Sequence, residues 1–143
     1  MRNYILLVIL LAFTAINFSA NAYTAPKVLL RDVDNITFMR NGMTTSNRFN
    51  SGPQLICDGG NASNYSYLIN TIKCNNIGID SETYDVEWLC DCTQHNLPNN
   101  IQVSNYAVVC EGYAYPDDPY ILHGSCEVHY ELNLKQQPLK QQP

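Results

Sequence analysis

Six cysteines and one row of charged side chains are the groups in this sequence best placed to do chemistry. The cysteines are Cys57, Cys74, Cys90, Cys92, Cys110 and Cys126. Cys90-Asp91-Cys92 sets two thiols two residues apart, as a disulfide-exchanging dithiol would. A reactive thiol needs a helix N-terminus or cationic neighbours to favour its thiolate, and Asp91 works against that. On a strand, the two side chains point the same way with Cα atoms about 6.6 Å apart, at the edge of disulfide geometry with the Cβ atoms side by side. Each is therefore expected to bond elsewhere. The charged row is His123, Glu127, His129 and Glu131, which with Glu111 or His95 invites a zinc site. Zinc draws three or four ligands to within about 2.2 Å, whereas strand rise spreads His123 to Glu131 over about 26 Å. The row reads as a solvated strand face and, if it acts, as a surface for a protein partner. Asp80, Glu82, Asp85 and Glu87 hint at a calcium loop, but that pattern needs a central Gly and a closing Glu, and Gly78 precedes the acids. There is no nucleophile elbow, His-Glu-x-x-His or Gly-rich phosphate loop. No catalytic residue, cofactor or metal is expected, and the chain does not read as an enzyme.

The elements that must carry these groups are strands. Tyr120, Leu122, Cys126, Val128, Tyr130 and Leu132 share one face, with Gly124 among them, against His123, Ser125, Glu127, His129 and Glu131 on the other. A period of two means a half-buried strand. Tyr84, Val86, Trp88, Cys90 and Cys92 alternate in the same way with Asp85, Glu87, Leu89 and Asp91, aiming the single tryptophan at the core. Lys27–Leu30, Ile36–Met39, Pro53–Cys57, Tyr65–Cys74 and Ile101–Tyr113 are further candidates. Asn41-Gly42 is a hairpin signal, and Asp117-Asp118 between Pro116 and Pro119 is turn chemistry. The fold expected is all-β: a small disulfide-stabilised, sheet or sandwich-like single domain.

Boundaries and compartment follow from composition. Of the 143 residues, positions 1–22 combine Arg2, an apolar run and the small-x-small site at Ala20 and Ala22, which is the pattern of a secretory signal peptide. The β-rich domain is placed at 23–135, and the Lys/Gln/Pro-rich stretch 136–143 reads as a disordered tail. Without Arg2 the chain holds 7 Lys+Arg against 13 Asp+Glu, a net charge of −6, and no basic stripe that would hold nucleic acid. No second apolar stretch reaches membrane-spanning length. An even cysteine count behind a signal peptide implies an oxidising compartment and three disulfides, with fifteen connectivities open. Sequons at Asn35, Asn61 and Asn64 mark candidate glycosylation sites in such a compartment.

Several phrases together resemble a known family. They are Val28-Leu29-Leu30-Arg31-Asp32-Val33, Thr44-Thr45-Ser46, Pro53-Gln54-Leu55 before Cys57, Gly59-Gly60, Tyr84-Asp85-Val86-Glu87-Trp88 before Cys90, Cys110-Glu111-Gly112-Tyr113, and Gly124-Ser125-Cys126 before Tyr130. In order and spacing, from Lys27 to about Leu134, they resemble the luminal domain of the store-operated calcium entry-associated regulatory factor. The resemblance implies an endoplasmic-reticulum protein that negatively regulates store-operated calcium entry by acting on the stromal interaction molecule calcium sensor. It also implies a β-rich luminal domain able to form a strand-swapped homodimer, with no catalytic residues to carry over. Family members continue into a transmembrane helix and a cytosolic region, whereas this sequence reaches Pro143. They also carry a loop cysteine where this chain has Asn64, and lack one at Cys92. Cys92 is therefore expected to take over the partner of the missing cysteine. The alternative function is a secreted cysteine-rich binding module without a calcium-entry role.

Overall fold

The computed structural model describes residues 25–92 and 97–136. The signal peptide, most of the tail and His95 lie outside these residues. Eight strands follow one another: β1 (Lys27–Leu29), β2 (Asn35–Met39), β3 (Leu55–Gly59), β4 (Thr71–Ile79), β5 (Val86–Asp91), β6 (Ile101–Val109), β7 (Tyr120–Leu122) and β8 (Glu127–Leu134). They form three sheets, a β1-β7 pair and two three-stranded sheets ordered β2-β4-β5 and β3-β8-β6. All pairings are antiparallel except β3 with β8. The all-β expectation therefore holds, built from three small sheets.

One core joins the two larger sheets. Phe38, Ile72 and Cys74 come from β2-β4-β5, and Val128, Tyr130 and Leu132 come from β8, all of them buried in a single cluster with Ile69, Ile101 and Ile121. Alternation explains the selection, because every second residue of β8 from Val128 to Leu132 faces inward while Glu127, His129 and Glu131 are only partly covered. Trp88 and Cys90, from the inward set of β5, pack against the same cluster.

The structure departs from the sequence reading at three places. The strand expected over Tyr120–Leu134 is two strands in different sheets, separated by a turn in which Ser125 N–H bonds to Leu122 C=O and Gly124 has a φ of 78°. In β7 the two-residue alternation fails: Leu122 is buried as expected, but its neighbour Ile121 is buried too and Tyr120 is 39% exposed. Tyr65–Cys74 is likewise not one strand. Its first half belongs to a 3-10 helix, Ser63–Leu68, whose Ser66 carbonyl accepts from the Arg40 guanidinium, and β4 starts only at Thr71. Third, Asn41-Gly42 does not join β2 to the next strand, since β2 pairs with β4. Gly42 is instead needed for close approach: a Cβ there would lie 2.1 Å from Gln54 Oε1, which accepts from Met39 N–H.

Two disulfides each staple neighbouring strands of one sheet. Cys74–Cys90 links direct register partners on β4 and β5. Cys110–Cys126 lies one pair beyond Val109↔Glu127, where β6 leaves β8. Of the three disulfides expected, these two are formed, and Cys57 and Cys92 are free thiols. Cys90 bonds away from Cys92, as strand geometry requires, but Cys92, expected to bond elsewhere in turn, is unbonded.

Candidate functional site

β8 is the central strand of its sheet, so its charged face is flanked by β3 and β6. His129 sits between two carboxylates: Nδ1 lies 3.1 Å from both Asp58 oxygens and Nε2 lies 3.1 Å from Glu127 Oε1. Glu131 accepts from Asn105 Nδ2 at 2.8 Å and from Asn133 Nδ2 at 3.3 Å. The structure thus brings Glu127 and His129 together and places Glu131 farther along the same face. His123 is apart from them, in the turn after β7, where its carbonyl accepts from Thr45 Oγ1. Asp58 was not anticipated. It comes to His129 through the parallel β3-β8 register, in which Cys57 pairs with Tyr130, and a contact across 71 positions leaves no local trace in the sequence.

The His129 cluster has a signed electrostatic consequence. Partial burial disfavours its imidazolium, but hydrogen bonds and charge from Glu127 and Asp58 outweigh that cost and hold His129 above its ordinary value of 6.5. A histidine raised on folding stabilises the fold fully below its unfolded value, near 6.5, and loses that contribution as pH rises through the higher folded value. An NMR titration is expected to place the His129 midpoint above 6.5 and to move it down in Asp58→Asn and in Glu127→Gln. A midpoint unmoved by both substitutions would contradict the clamped geometry.

Glu111, considered in sequence as an extra metal ligand, has another task. Its side chain is only 6% exposed and accepts from Ser46 Oγ at 2.8 Å and from the Arg48 backbone N–H at 3.0 Å. Asn47 N–H adds contacts at 3.2 Å, and Arg48 Nε stands 3.6 Å away. A buried carboxylate needs such compensation, and here it pins the loop after Met43 to the end of β6. Asp80 does similar work in the β4–β5 turn: its Oδ1 accepts from Thr83 N–H at 2.7 Å and Glu82 N–H at 2.8 Å. These bonds, to Thr83 first and then to Glu82, hold its carboxyl below the usual value. That is turn chemistry rather than calcium ligation. Asp118 accepts from the N–H groups of Tyr120 and Ala114 in the same manner. Among the described residues no three His, Cys, Asp or Glu side chains are grouped to hold a metal ion.

A second cluster lies inside the sandwich. Cys57 and Cys92 both pack against the core, and the charge of either as a thiolate would disfavour ionisation of the Tyr130 phenol. Burial comes first in raising Tyr130 to about 12, with Cys57 adding to it. Burial, then Asp91, pushes the Cys92 thiol up to about 11. With Cys90 already bonded to Cys74, the two cysteines do not form a dithiol pair, and burial disfavours the Cys92 thiolate that exchange would need.

A concavity of about 910 Å³ among the described residues is a groove lined by Leu29, Tyr84, Val109, Pro116 and Tyr120. It holds apolar and tyrosine surface with acids such as Asp85 and Asp117, and no histidine. Tyr84 projects beside it, 81% exposed and with a φ of 61°. Its chemistry suits contact with another molecule better than bond making.

Comparison with known proteins identifies the family. Residues 6–143 match the family described as the SOCE-associated regulatory factor of calcium homoeostasis. The store-operated calcium entry-associated regulatory factor of Homo sapiens is 40% identical over 107 residues, which cover 75% of this chain and 30% of that protein. The Rattus norvegicus factor is 38% identical over 129 residues, 90% of this chain and 37% of its own length. The Dictyostelium discoideum factor is 40% identical over 107 residues, 74% and 32% respectively. The chain thus spans about a third of the length of the relatives it matches. With a match over nearly its whole length, this chain belongs to the family of the SOCE-associated regulatory factor of calcium homoeostasis.

Proposed function

We propose that this chain supplies the endoplasmic-reticulum luminal module of a negative regulator of store-operated calcium entry, acting by protein contact on a calcium sensor of the stromal interaction molecule type. The observation that carries this reading is the family match over residues 6–143. A signal peptide at 1–22 would deliver the chain to the lumen, where disulfides form. Among the described residues no helix is long and apolar enough to cross a membrane, and the described domain is the part that would make luminal contacts. The proposed partner surface is the β8 face with Glu127, His129 and Glu131, together with His123 from the adjoining turn. Self-association by strand exchange is a further part of the reading, favoured by edges at β2 and β5 of one sheet and β3 and β6 of the other, since an outer strand offers backbone groups for pairing. Glycans are proposed at Asn35 and Asn64, which are exposed. At Asn61 the side-chain oxygen already accepts from Leu134 N–H at 2.7 Å, so a glycan there must keep that bond.

Depletion of the protein in its own cells, followed by store emptying and calcium readmission, is expected to raise the sustained phase of calcium entry by about two-fold or more, the size of a coupling near 0.5 kcal/mol. Return of the chain is expected to reverse the rise, and return of a folded variant with alanine at His123, Glu127, His129 and Glu131 is not. Unchanged entry on depletion, with the protein recovered from the medium, would replace this reading by that of a secreted binding module.

A further inference from the structure

Two thiols remain after the strand staples are accounted for, and both pack against the same core from different sheets. Cys57 lies on β3 in register with Tyr130 of β8. Cys92 directly follows β5, whose Asp91 pairs with Lys73, so its position is next to buried Ile72 on the inward face already defined by Cys74 and Cys90. One thiol thus belongs to the β3-β8-β6 sheet and the other to β2-β4-β5. Both are partly buried against the shared core; Cys57 is the register partner of Tyr130, and a charge on either thiol would be felt at the Tyr130 phenol. Neither has a strong competing partner among the bonds described: the Cys57 thiol makes only a 3.6 Å contact to the Gly59 carbonyl, a weak use of a weak donor. A cavity of about 220 Å³ lined by Cys57, Tyr130, Ile69 and Arg40 leaves room for the sulfur and the phenol to readjust.

We propose that Cys57 and Cys92 close a third disulfide, the one covalent tie between the two three-stranded sheets. Both disulfides present in the described residues join strands of one sheet, so they hold each sheet together without holding the sheets to each other. The reaction is thiol–disulfide exchange with a disulfide oxidant such as oxidised glutathione. The Cys57 thiolate attacks one sulfur of the oxidant and releases the first reduced thiol. The Cys92 thiol, giving up its proton to the departing thiolate as it does so, then attacks Cys57 Sγ of the mixed disulfide and releases the second. Two S–H bonds and the oxidant's S–S bond are exchanged for the Cys57–Cys92 bond and two reduced thiols, with both protons carried away on the products. Since Cys92 is half buried and protonated at neutral pH, the bond is structural once made rather than one that turns over.

The chain refolded with reduced and oxidised glutathione, alkylated under denaturant and digested without reductant, decides the matter. Mass spectrometry is expected to find the Cys57 peptide joined to the Cys92 peptide beside the Cys74–Cys90 and Cys110–Cys126 pairs. In Cys57→Ser, Cys92 is expected to take up alkylating label in full while the other two pairs stay intact. The oxidised parent should also melt on the order of 10 °C above the Cys57→Ser/Cys92→Ser double variant. Full labelling of both cysteines in the parent would overturn the proposal, as would a link from either one to a different cysteine or to a second copy of the chain.

Discussion

Gly60→Ala is expected to destabilise the domain by about 3–5 kcal/mol, combining backbone strain with overpacking, and so to leave much of it unfolded at physiological temperature. Gly60 has a φ of 100°, a region that side-chain-bearing residues rarely adopt. A Cβ at this position would also stand 2.1 Å from the Leu132 carbonyl oxygen and 2.7 Å from its carbon. Those are backbone atoms of the central strand β8, and the same carbonyl accepts from Ala62 N–H at 2.9 Å. Neither side can yield without breaking the seam between β8 and the turn into the 3-10 helix. Gly52→Ala is the matched control, because nothing lies within 4 Å of the added carbon and its φ is not in the left-handed region. Thermal unfolding of both variants checks the contrast, with the control expected within about 0.5 kcal/mol of the parent. Equal melting of the two variants would mean that the approach of Gly60 to Leu132 is not a feature of the folded protein.

Removing the Cys110–Cys126 disulfide as a serine pair is expected to cost about 2–5 kcal/mol. Its sequence separation is 16, the same as that of Cys74–Cys90, so loop-closure entropy predicts equal losses from the two bonds. Packing breaks the tie. Cys74 is fully buried in the core, with Cys90 packed against it, and serine hydroxyls placed there would lose hydration without an assured partner. The Cys110–Cys126 bond sits where β6 and β8 part, close to the Ser125 hydroxyl that accepts from Glu111 N–H at 2.9 Å. Its loss should loosen the Glu111 anchor of the loop after Met43 as well as the strands. Chemical denaturation of the two double-serine variants is expected to rank Cys74→Ser/Cys90→Ser as the less stable. Hydrogen exchange is expected to rise in residues 44–52 only when the Cys110–Cys126 bond is removed. The reverse ranking, or no local rise in exchange, would assign the bonds different roles.

Legibility from sequence depended on how local each signal was. The inward sets Cys126-Val128-Tyr130-Leu132 and Val86-Trp88-Cys90-Cys92 could be read because period-two alternation is a property of a few consecutive residues, but Tyr84, expected to join the second set, is 81% exposed because it lies with a φ of 61° in the turn before β5. The strand boundary at Leu122 could not, because nothing in the pattern from Tyr120 to Leu132 signals that β7 pairs with β1 while β8 joins a different sheet. The 3-10 helix at Ser63–Leu68 was concealed by tyrosines that favour strands when judged singly. In the candidate site, Glu127, His129 and Glu131 were correctly placed on a common face. Asp58, which gives His129 its second carboxylate, and the loop that occupies Glu111 were both out of reach.

What the sequence by itself determined is the class of molecule and the faces of its strands: an all-β, cysteine-bearing chain, the alternation that chooses which side chains meet the core, and the phrases that match a regulatory family. These are encoded by short-range pattern and residue type. Only the tertiary structure decided the partners. The parallel β3-β8 register, the pairing of Cys74 with Cys90 and of Cys110 with Cys126, the clamp on His129 and the packing of Cys57 and Cys92 against one core from two sheets all follow from strand order. Alternation states which way a side chain points and is silent about which strand lies opposite, because many registers satisfy the same pattern until the whole core is packed at once.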